Sequence, residues 1–241
     1  MTSTPIWAVL PAAGVGQRMG VVDRPKQYLP LAGATVIEHS LRRLLDVDRI
    51  QGIVVAVNAR DQYWQSLPVA SDPRIRAVTG GGERHQSVLA ALAALQDRAA
   101  PDDWVLVHDA VRPCVTSACI HRLITELEQD PVGGLLGFPL ADTLKRVDDE
   151  QRIAATVDRQ GIWAAATPQM FRHGLLREAL QRAAESGLPT DEAMAVEQLG
   201  YKPRMVAGRR DNLKITVAGD LELAALILQS QASVSDDKDQ H

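Results

Sequence analysis

Two glycine-rich segments of this chain carry the residue types that hold phosphates. The first is Pro11-Ala-Ala-Gly-Val-Gly-Gln-Arg-Met-Gly20, followed by Arg24-Pro-Lys-Gln27. Small residues let a backbone approach a ligand closely, and successive free N–H groups can surround phosphate oxygens. Arg18 and Lys26 add fixed positive charge to the same loop. It is not a Walker A loop, which ends in Gly-Lys-Ser/Thr. Nor is it the dinucleotide fingerprint, because Met19 stands where the third glycine belongs, and Asn58 follows the second apolar run where that fold needs an acid. Taken alone, a plain tight turn remains the alternative. The second segment is Thr79-Gly-Gly-Gly-Glu-Arg-His-Gln-Ser-Val88. Its glycines precede a helical pattern, and a helix N-terminus favours anions, so Ser87 and the glycine amides could hold a base or ribose edge. The plain alternative is that Gly80 to Gly82 only turn the chain and Arg84 is solvated.

A third segment, His108-Asp-Ala-Val-Arg-Pro113, follows an apolar run. Asp109 could bind Mg²⁺ directly or through water, since hard cations take oxygen ligands. It could equally cap the following turn. His108 reads as a packed strand-end residue rather than a base. Three later pieces add polar groups: Thr156-Val-Asp-Arg159, Ala166-Thr-Pro-Gln169 and Asp211-Asn-Leu-Lys-Ile-Thr216. Each reads as a loop or strand end, and a lone Arg159 or Lys214 is ordinarily a solvated charge.

The elements that position these loops alternate. Ile6 to Leu10, Ile53 to Val57, Ile75 to Val78 and Val105 to Val107 are continuous apolar runs, the pattern of strands buried on both faces. Between them, Thr35 to Asp46 and Arg84 to Leu95 place apolar residues along one helical face. This order predicts a mostly parallel sheet with right-handed crossovers and helices on both faces. Ligands of such sheets sit beyond the carboxyl ends of the strands, where the glycine loops fall. After Leu135 to Pro139 the chain turns polar and alternating. Lys145 to Val157, centred on VDDEQ, reads as a hairpin projecting from the body, with a plain surface loop as the alternative. Two strands alone bury little surface, so such an arm is expected to pack on a second subunit. The helical pattern returns after Phe171, and a last helix is expected over Gly219 to Gln229. Residues 1–231 are read as a single domain with its arm at about 139–165, and 232–241 as a disordered tail.

The chain has 241 residues, 46% of them apolar, with 26 basic and 30 acidic side chains and a formal charge of −4. That balance argues against holding nucleic acid through bulk positive charge, while leaving room for a small anion in a local basic pocket. No apolar run is long enough to cross a bilayer, and the N-terminus lacks the basic start of a secretory signal. The only cysteines, Cys114 and Cys119, match no zinc or haem spacing and suit reduced thiols in a cytoplasmic protein.

Seven motifs occur here in one order: Ala-Ala-Gly-x-Gly-x-Arg-Met with Pro-Lys-Gln-Tyr-Leu, Gly-Gly-x-x-Arg-x-x-Ser-Val, Val-His-Asp-Ala-x-Arg-Pro-Cys, Thr-Val-Asp-Arg, Thr-Pro-Gln-x-Phe, Thr-Asp-Glu-Ala and Asn-x-Lys-Ile-Thr. Together they resemble the 2-C-methyl-D-erythritol 4-phosphate cytidylyltransferases of the non-mevalonate isoprenoid pathway, over Ile6 to about Leu228. The resemblance implies a Rossmann-like three-layer α/β/α fold whose projecting arm serves dimerisation. It also implies transfer of CMP from CTP to methylerythritol phosphate with release of pyrophosphate, and Mg²⁺ carried mainly by the CTP phosphates. By the same resemblance Arg18 and Lys26 stabilise the transition state, and Arg159 and Lys214 position the acceptor with Thr167. Ala12, Ala13, Gly14, Gly16, Gly81, Arg84 and Ser87 hold CTP, while Asp109, Ala110, Arg112 and Thr143 line the joint pocket. Arg159 would come from the partner's arm. One departure is visible: Gly82 stands where the family commonly has an acid. The competing readings are a cytidylyltransferase for another polyol phosphate, such as ribitol phosphate, and a nucleotide-binding regulator without catalysis.

Overall fold

The computed structural model describes residues 4–14, 24–186 and 189–236. Along the chain, β1 (Ile6–Ala12) is followed by a short hairpin of β2 (Pro30–Leu31) and β3 (Ala34–Thr35). Next come α1 (Val36–Leu45), β4 (Ile50–Val57), β5 (Ile75–Thr79), α2 (Arg84–Ala94) and β6 (Trp104–Val107). The second half contains α3 (Ser117–Leu127), β7 (Gly133–Pro139), β8 (Leu144–Val147), β9 (Ile153–Val157) and β10 (Trp163–Arg172). It closes with α4 (His173–Ser186), α5 (Glu192–Gln198), β11 (Arg204–Ala207) and α6 (Gly219–Asp236).

Seven strands form one sheet in the order β11-β7-β10-β6-β1-β4-β5. All pairings are parallel except the two made by β10, which runs antiparallel to both β6 and β7. Strand β1 shows why both faces must be covered. Ile6, Ala8 and Leu10 pack with Ile37, Leu41 and Leu44 of α1 and Ile120 and Leu123 of α3. Trp7 and Val9 face the other way, onto Val88 and Leu92 of α2 and Leu176 and Leu180 of α4. Side chains alternate across a strand, so an unbroken apolar run needs helices on both faces, and the three-layer α/β/α arrangement follows. A smaller cluster ties α6 to the site: Ala224 and Leu228 pack with Val36, Cys114 and the fully buried Ile215. Burying one such side chain contributes about 2 kcal/mol, enough to pin the segment that carries Lys214.

The sheet differs from the sequence expectation in two strands. β10 spans residues read as a loop or strand end, and β11 was not anticipated. The hairpin is present: Leu144 pairs with Val157 and Val147 with Ile153, and its tip is closed by Asp148, whose Oδ1 accepts from the N–H groups of Glu150 and Arg152. Val147 is 53% exposed and Ile153 65%. The C-terminal helix corrects the expected end at Gln229. It runs on to Asp236, so residues 232–236, read as disordered, are helical, and 237–241 lie outside the described residues. Cys114 and Cys119 are both buried free thiols. No helix among the described residues is long and apolar enough to cross a membrane.

Candidate active site

The carboxyl ends of β1, β4, β5 and β6 open on one edge of the sheet. β10 runs the other way, so its first half lies at that same edge and delivers Thr167 beside the end of β6. A cavity of about 460 Å³ sits there, lined by Pro11 to Gly14, Lys26, Gln27, Gly81 to Arg84, Ser87, Asp109 to Val111 and Lys214. A second hollow of about 520 Å³ adjoins it and shares Ala13, Gly14, Gln27, Gly81 and Gly82, adding Asn58 to Asp61 and Tyr63. The expected residues Ala12, Ala13, Gly14, Lys26, Gly81, Arg84, Ser87, Asp109, Ala110 and Lys214 thus line one cavity. Gly16 and Arg18 lie outside the described residues.

Asp109 is the centre of charge. Its Oδ1 receives Arg84 Nε at 3.1 Å, and its Oδ2 lies 3.0 Å from Lys214 Nζ and 3.3 Å from Arg112 Nε. Its carboxylate is therefore spent on three cations rather than on capping a turn. Burial would push this carboxyl up, but Arg84, Lys214 and Arg112 together hold it well below the usual carboxylate range. Arg84 is shared further: its Nη1 and Nη2 donate to the two oxygens of Glu192 at 2.5 and 3.0 Å. Burial tends to lower the Arg84 pKa, yet Glu192 and Asp109 raise it, so the guanidinium stays charged. Arg112 Nη1 donates to the carbonyl of Asn212 at 2.8 Å, fixing it beside Asp109.

Beneath the carboxylate runs a neutral hydrogen-bond chain. The Asp109 N–H donates to Thr167 Oγ1 at 3.0 Å, and Thr167 Oγ1 lies 3.0 Å from His108 Nδ1. His108 Nε2 is 3.1 Å from the Arg112 carbonyl, which can only accept, so the proton sits on Nε2 and Nδ1 accepts from the Thr167 hydroxyl. Burial lowers the His108 pKa to about 4, against the pull of Asp109. This histidine is therefore neutral, with both ring nitrogens occupied, and is placed as a support rather than as a base. Thr167 is 4% exposed and its hydroxyl is engaged in both directions, so its side chain holds the floor of the site.

The two glycine segments are fastened to one another. Gln27 Nε2 donates to the carbonyls of Ala12 and Gly14 at 2.7 and 3.0 Å, fastening the start of the first glycine segment. Lys26 Nζ donates to the Ile215 carbonyl at 3.0 Å, which sets this lysine next to Lys214's strand of chain. Ser87 Oγ accepts from the Gly81 N–H at 3.2 Å. A Cβ on Gly80 would stand 2.8 Å from both Ala13 Cβ and Ser87 Oγ, so the close approach of the two loops requires glycine there.

Two expected residues are elsewhere in this chain. Thr143 is exposed at the root of the hairpin, and Arg159 is exposed just beyond it, donating to the carbonyl of Ala141. Neither lines the cavity, and Arg112 and Thr167, though bonded to Asp109, do not line it either. Three polar residues that were not singled out prove structurally central: Gln27, Glu192 and Asn212, each 4% exposed or less. Each sat inside a quoted motif; for Gln27 and Asn212 the signal is an amide beside Lys26 or Lys214, whereas Glu192 has no such neighbour.

The chain was compared with known proteins. The IspD family model, 2-C-methyl-D-erythritol 4-phosphate cytidylyltransferase, matches residues 6–230. A 2-C-methyl-D-erythritol 4-phosphate cytidylyltransferase of Ectopseudomonas mendocina is 55% identical over 91% of this chain and 94% of its own length. The crystal structure of the Francisella tularensis 2-C-methyl-D-erythritol 4-phosphate cytidylyltransferase superposes with a TM-score of 0.80 at 34% identity, covering 93% of this chain and all of that one. The Thermus thermophilus enzyme of the same name gives a TM-score of 0.76 at 30% identity over 95% of this chain.

Proposed function

Since the chain belongs to the IspD family of cytidylyltransferases, we propose a mechanism in which its sheet-edge cavity joins CTP to 2-C-methyl-D-erythritol 4-phosphate. The enzyme is a nucleotidyltransferase that cytidylylates this sugar-alcohol phosphate, giving 4-diphosphocytidyl-2-C-methyl-D-erythritol and pyrophosphate. The observation that carries the mechanism is the cavity itself: a glycine loop and a lysine at one end, Asp109 and Lys214 at the other, with Arg112 bonded to Asp109.

The acceptor's phosphate monoester has a second pKa of about 6 and is largely a dianion at neutral pH. It needs no base, which agrees with a neutral His108 whose two nitrogens are already bonded. The task is to bring two anions together and to stabilise charge on the α-phosphorus and on the leaving pyrophosphate. The amides of Ala12 to Gly14 receive the triphosphate, and Lys26, with Arg18 from the same loop, neutralises the leaving group. Gly81 and Ser87 face the nucleoside. Lys214 orients the acceptor phosphate for in-line attack while Asp109 and Arg112 fix that lysine. Holding both reactants in this geometry supplies much of the acceleration.

Mg²⁺ fits this donor set as a passenger on the triphosphate. Asp109 is the carboxylate placed to approach it, but its oxygens are shared among three cations. The ion would neutralise phosphate oxygens, and the residues above do the positioning.

The arm completes the site from a second subunit. Val147, Ile153, Ile162 and Trp163 expose apolar surface on and around the hairpin, and Arg159 is not part of its own chain's cavity lining. In a homodimer formed through the arms, Arg159 of one protomer reaches the acceptor phosphate in the other, with Thr143 beside it. The enzyme works in the cytoplasm, without nucleic acid or membrane. The decisive assay follows pyrophosphate release with Mg²⁺, CTP and methylerythritol phosphate, with parallel reactions containing ribitol phosphate, or UTP or ATP in place of CTP. Release with the first pair alone is expected. Release with ribitol phosphate instead would overturn the acceptor, and CTP binding without release in any tube would indicate a regulator.

A further inference from the structure

We infer that Glu192 is a positioning residue of this site, one that sets the Asp109 carboxylate, and through it Lys214, by holding Arg84. Glu192 is a fully buried carboxylate at the start of α5, and among the described residues its side chain is held by Arg84 alone, through both oxygens. A buried carboxylate with a single two-pronged partner serves that partner. Arg84 also meets Asp109, with Nε and Nη2 each 3.1 Å from Oδ1. One guanidinium is thus stretched between a carboxylate that lines the cavity and one that does not.

Glu192 is itself held still. Gln169 Nε2 donates to Asp191 Oδ2 at 2.9 Å, and Gln169 Oε1 accepts from the Ala193 N–H at 2.8 Å, so both neighbours of Glu192 are fastened to β10. Asp191 Oδ1 also accepts from the Met194 N–H and caps α5. From β10 the connection returns to Asp109, whose N–H bonds Thr167. The circuit Thr167–Asp109–Arg84–Glu192–Gln169 closes on a single strand, so the position of Asp109 is fixed at its backbone and at its carboxylate by the same element. Without the Glu192 charge, Arg84, whose Nε and Nη2 already meet Oδ1, swings wholly onto Asp109. That draws the carboxylate away from Lys214, now 3.0 Å from Oδ2, and releases the cation that orients the acceptor phosphate.

This inference rests on the reading of the cavity as the cytidylyltransferase site, and a double-mutant cycle separates the two. Steady-state kinetics on the full-length chain would compare Glu192→Gln, Asp109→Asn and the pair, with melting curves for each. Glu192→Gln is expected to raise KM for methylerythritol phosphate tenfold or more, with KM for CTP changed less than threefold. In the Asp109→Asn background the same substitution is expected to change kcat/KM less than twofold, because its route of action is already gone. Undiminished effects in that background, or a fall in kcat with both KM values intact, would reduce Glu192 to a structural residue and overturn the inference. If Asp109→Asn itself behaves like the parent, the site reading falls and the inference with it. Should Glu192→Gln not fold, Arg84→Met with Glu192→Met removes both partners at similar volume. A tenfold or greater rise in acceptor KM is expected there too, beside any loss of CTP affinity from Arg84 itself, and an unchanged acceptor KM would overturn the inference.

Discussion

Acidification should destabilise this protein through His108. The imidazole is fully buried, and desolvation holds its pKa at about 4 against 6.5 for a free histidine. Between those values the unfolded chain binds a proton that the folded chain refuses, so the unfolded state gains as the pH falls. The loss is about 1.4 kcal/mol per pH unit once well below 6.5, about 2 kcal/mol between pH 7 and 5, and about 3 kcal/mol by pH 4. Asp109 does not oppose this, because its carboxyl is held far below that window and stays ionised throughout. His39, also lowered mainly by burial, adds a change of the same sign. The assay is urea unfolding at pH 7 and pH 5 for the parent and for His108→Asn. The variant is expected to start less stable, since the Thr167 hydroxyl and the Arg112 carbonyl lose their ring partners, yet to lose about 2 kcal/mol less on acidification. An identical pH drop in parent and variant would refute the assignment of a neutral, desolvated imidazole.

Other expectations concern the reaction. Lys26→Ala should lower kcat a hundredfold or more, the scale of one donor aimed at developing charge, with the fold intact by circular dichroism. Near-normal kcat would remove Lys26 from the mechanism. Mixed dimers of Lys26→Ala and Arg159→Ala subunits, each inactive as a homodimer, should recover part of the activity, because one of the two sites then carries neither lesion. No recovery in verified heterodimers would mean that each site is built from one chain. Thr167→Val should cost about 1–3 kcal/mol in thermal unfolding, since it leaves the buried Asp109 N–H without an acceptor. A melting temperature equal to the parent's would show that water or a shifted loop replaces the hydroxyl.

The parts of the fold that read directly from sequence are those governed by hydropathy. β1, β4 and β6 are apolar runs because helices cover both their faces, and α1 shows its buried stripe of Ile37, Leu41 and Leu44. β10 escaped because Thr167 and Gln169 lie within it: both are buried and polar, and each is satisfied by specific partners rather than by water. β11, with exposed Arg204 and Met205, shows only a fragment of a buried pattern. α6 outran its expected end because Ser, Ala and Gln sustain a helix without an apolar stripe. At the site the same division holds. Glycine loops and lysines announce themselves by type, whereas the value of Glu192 lies in Arg84, 108 positions away, and that of Gln27 in two backbone carbonyls. The place proposed for Arg159 depends on a second subunit, which one chain's pattern cannot draw.

The chain leaves the body at Pro139 and re-enters it at Trp163, and these two residues pair directly across β7 and β10. Everything between them is a side branch closed at its stem. The ends of the branch are already held together by the core sheet, so its length adds little closure entropy, about 0.6 kcal/mol for each doubling. Its tip beyond β8 and β9 can therefore be lengthened, shortened or exchanged between relatives while the catalytic edge keeps its geometry. In the proposed dimer, only the residues at the root, Thr143 and Arg159, need a fixed distance from the body. The rest of the arm would then be a surface on which the choice of partner can change without rebuilding the enzyme that carries it.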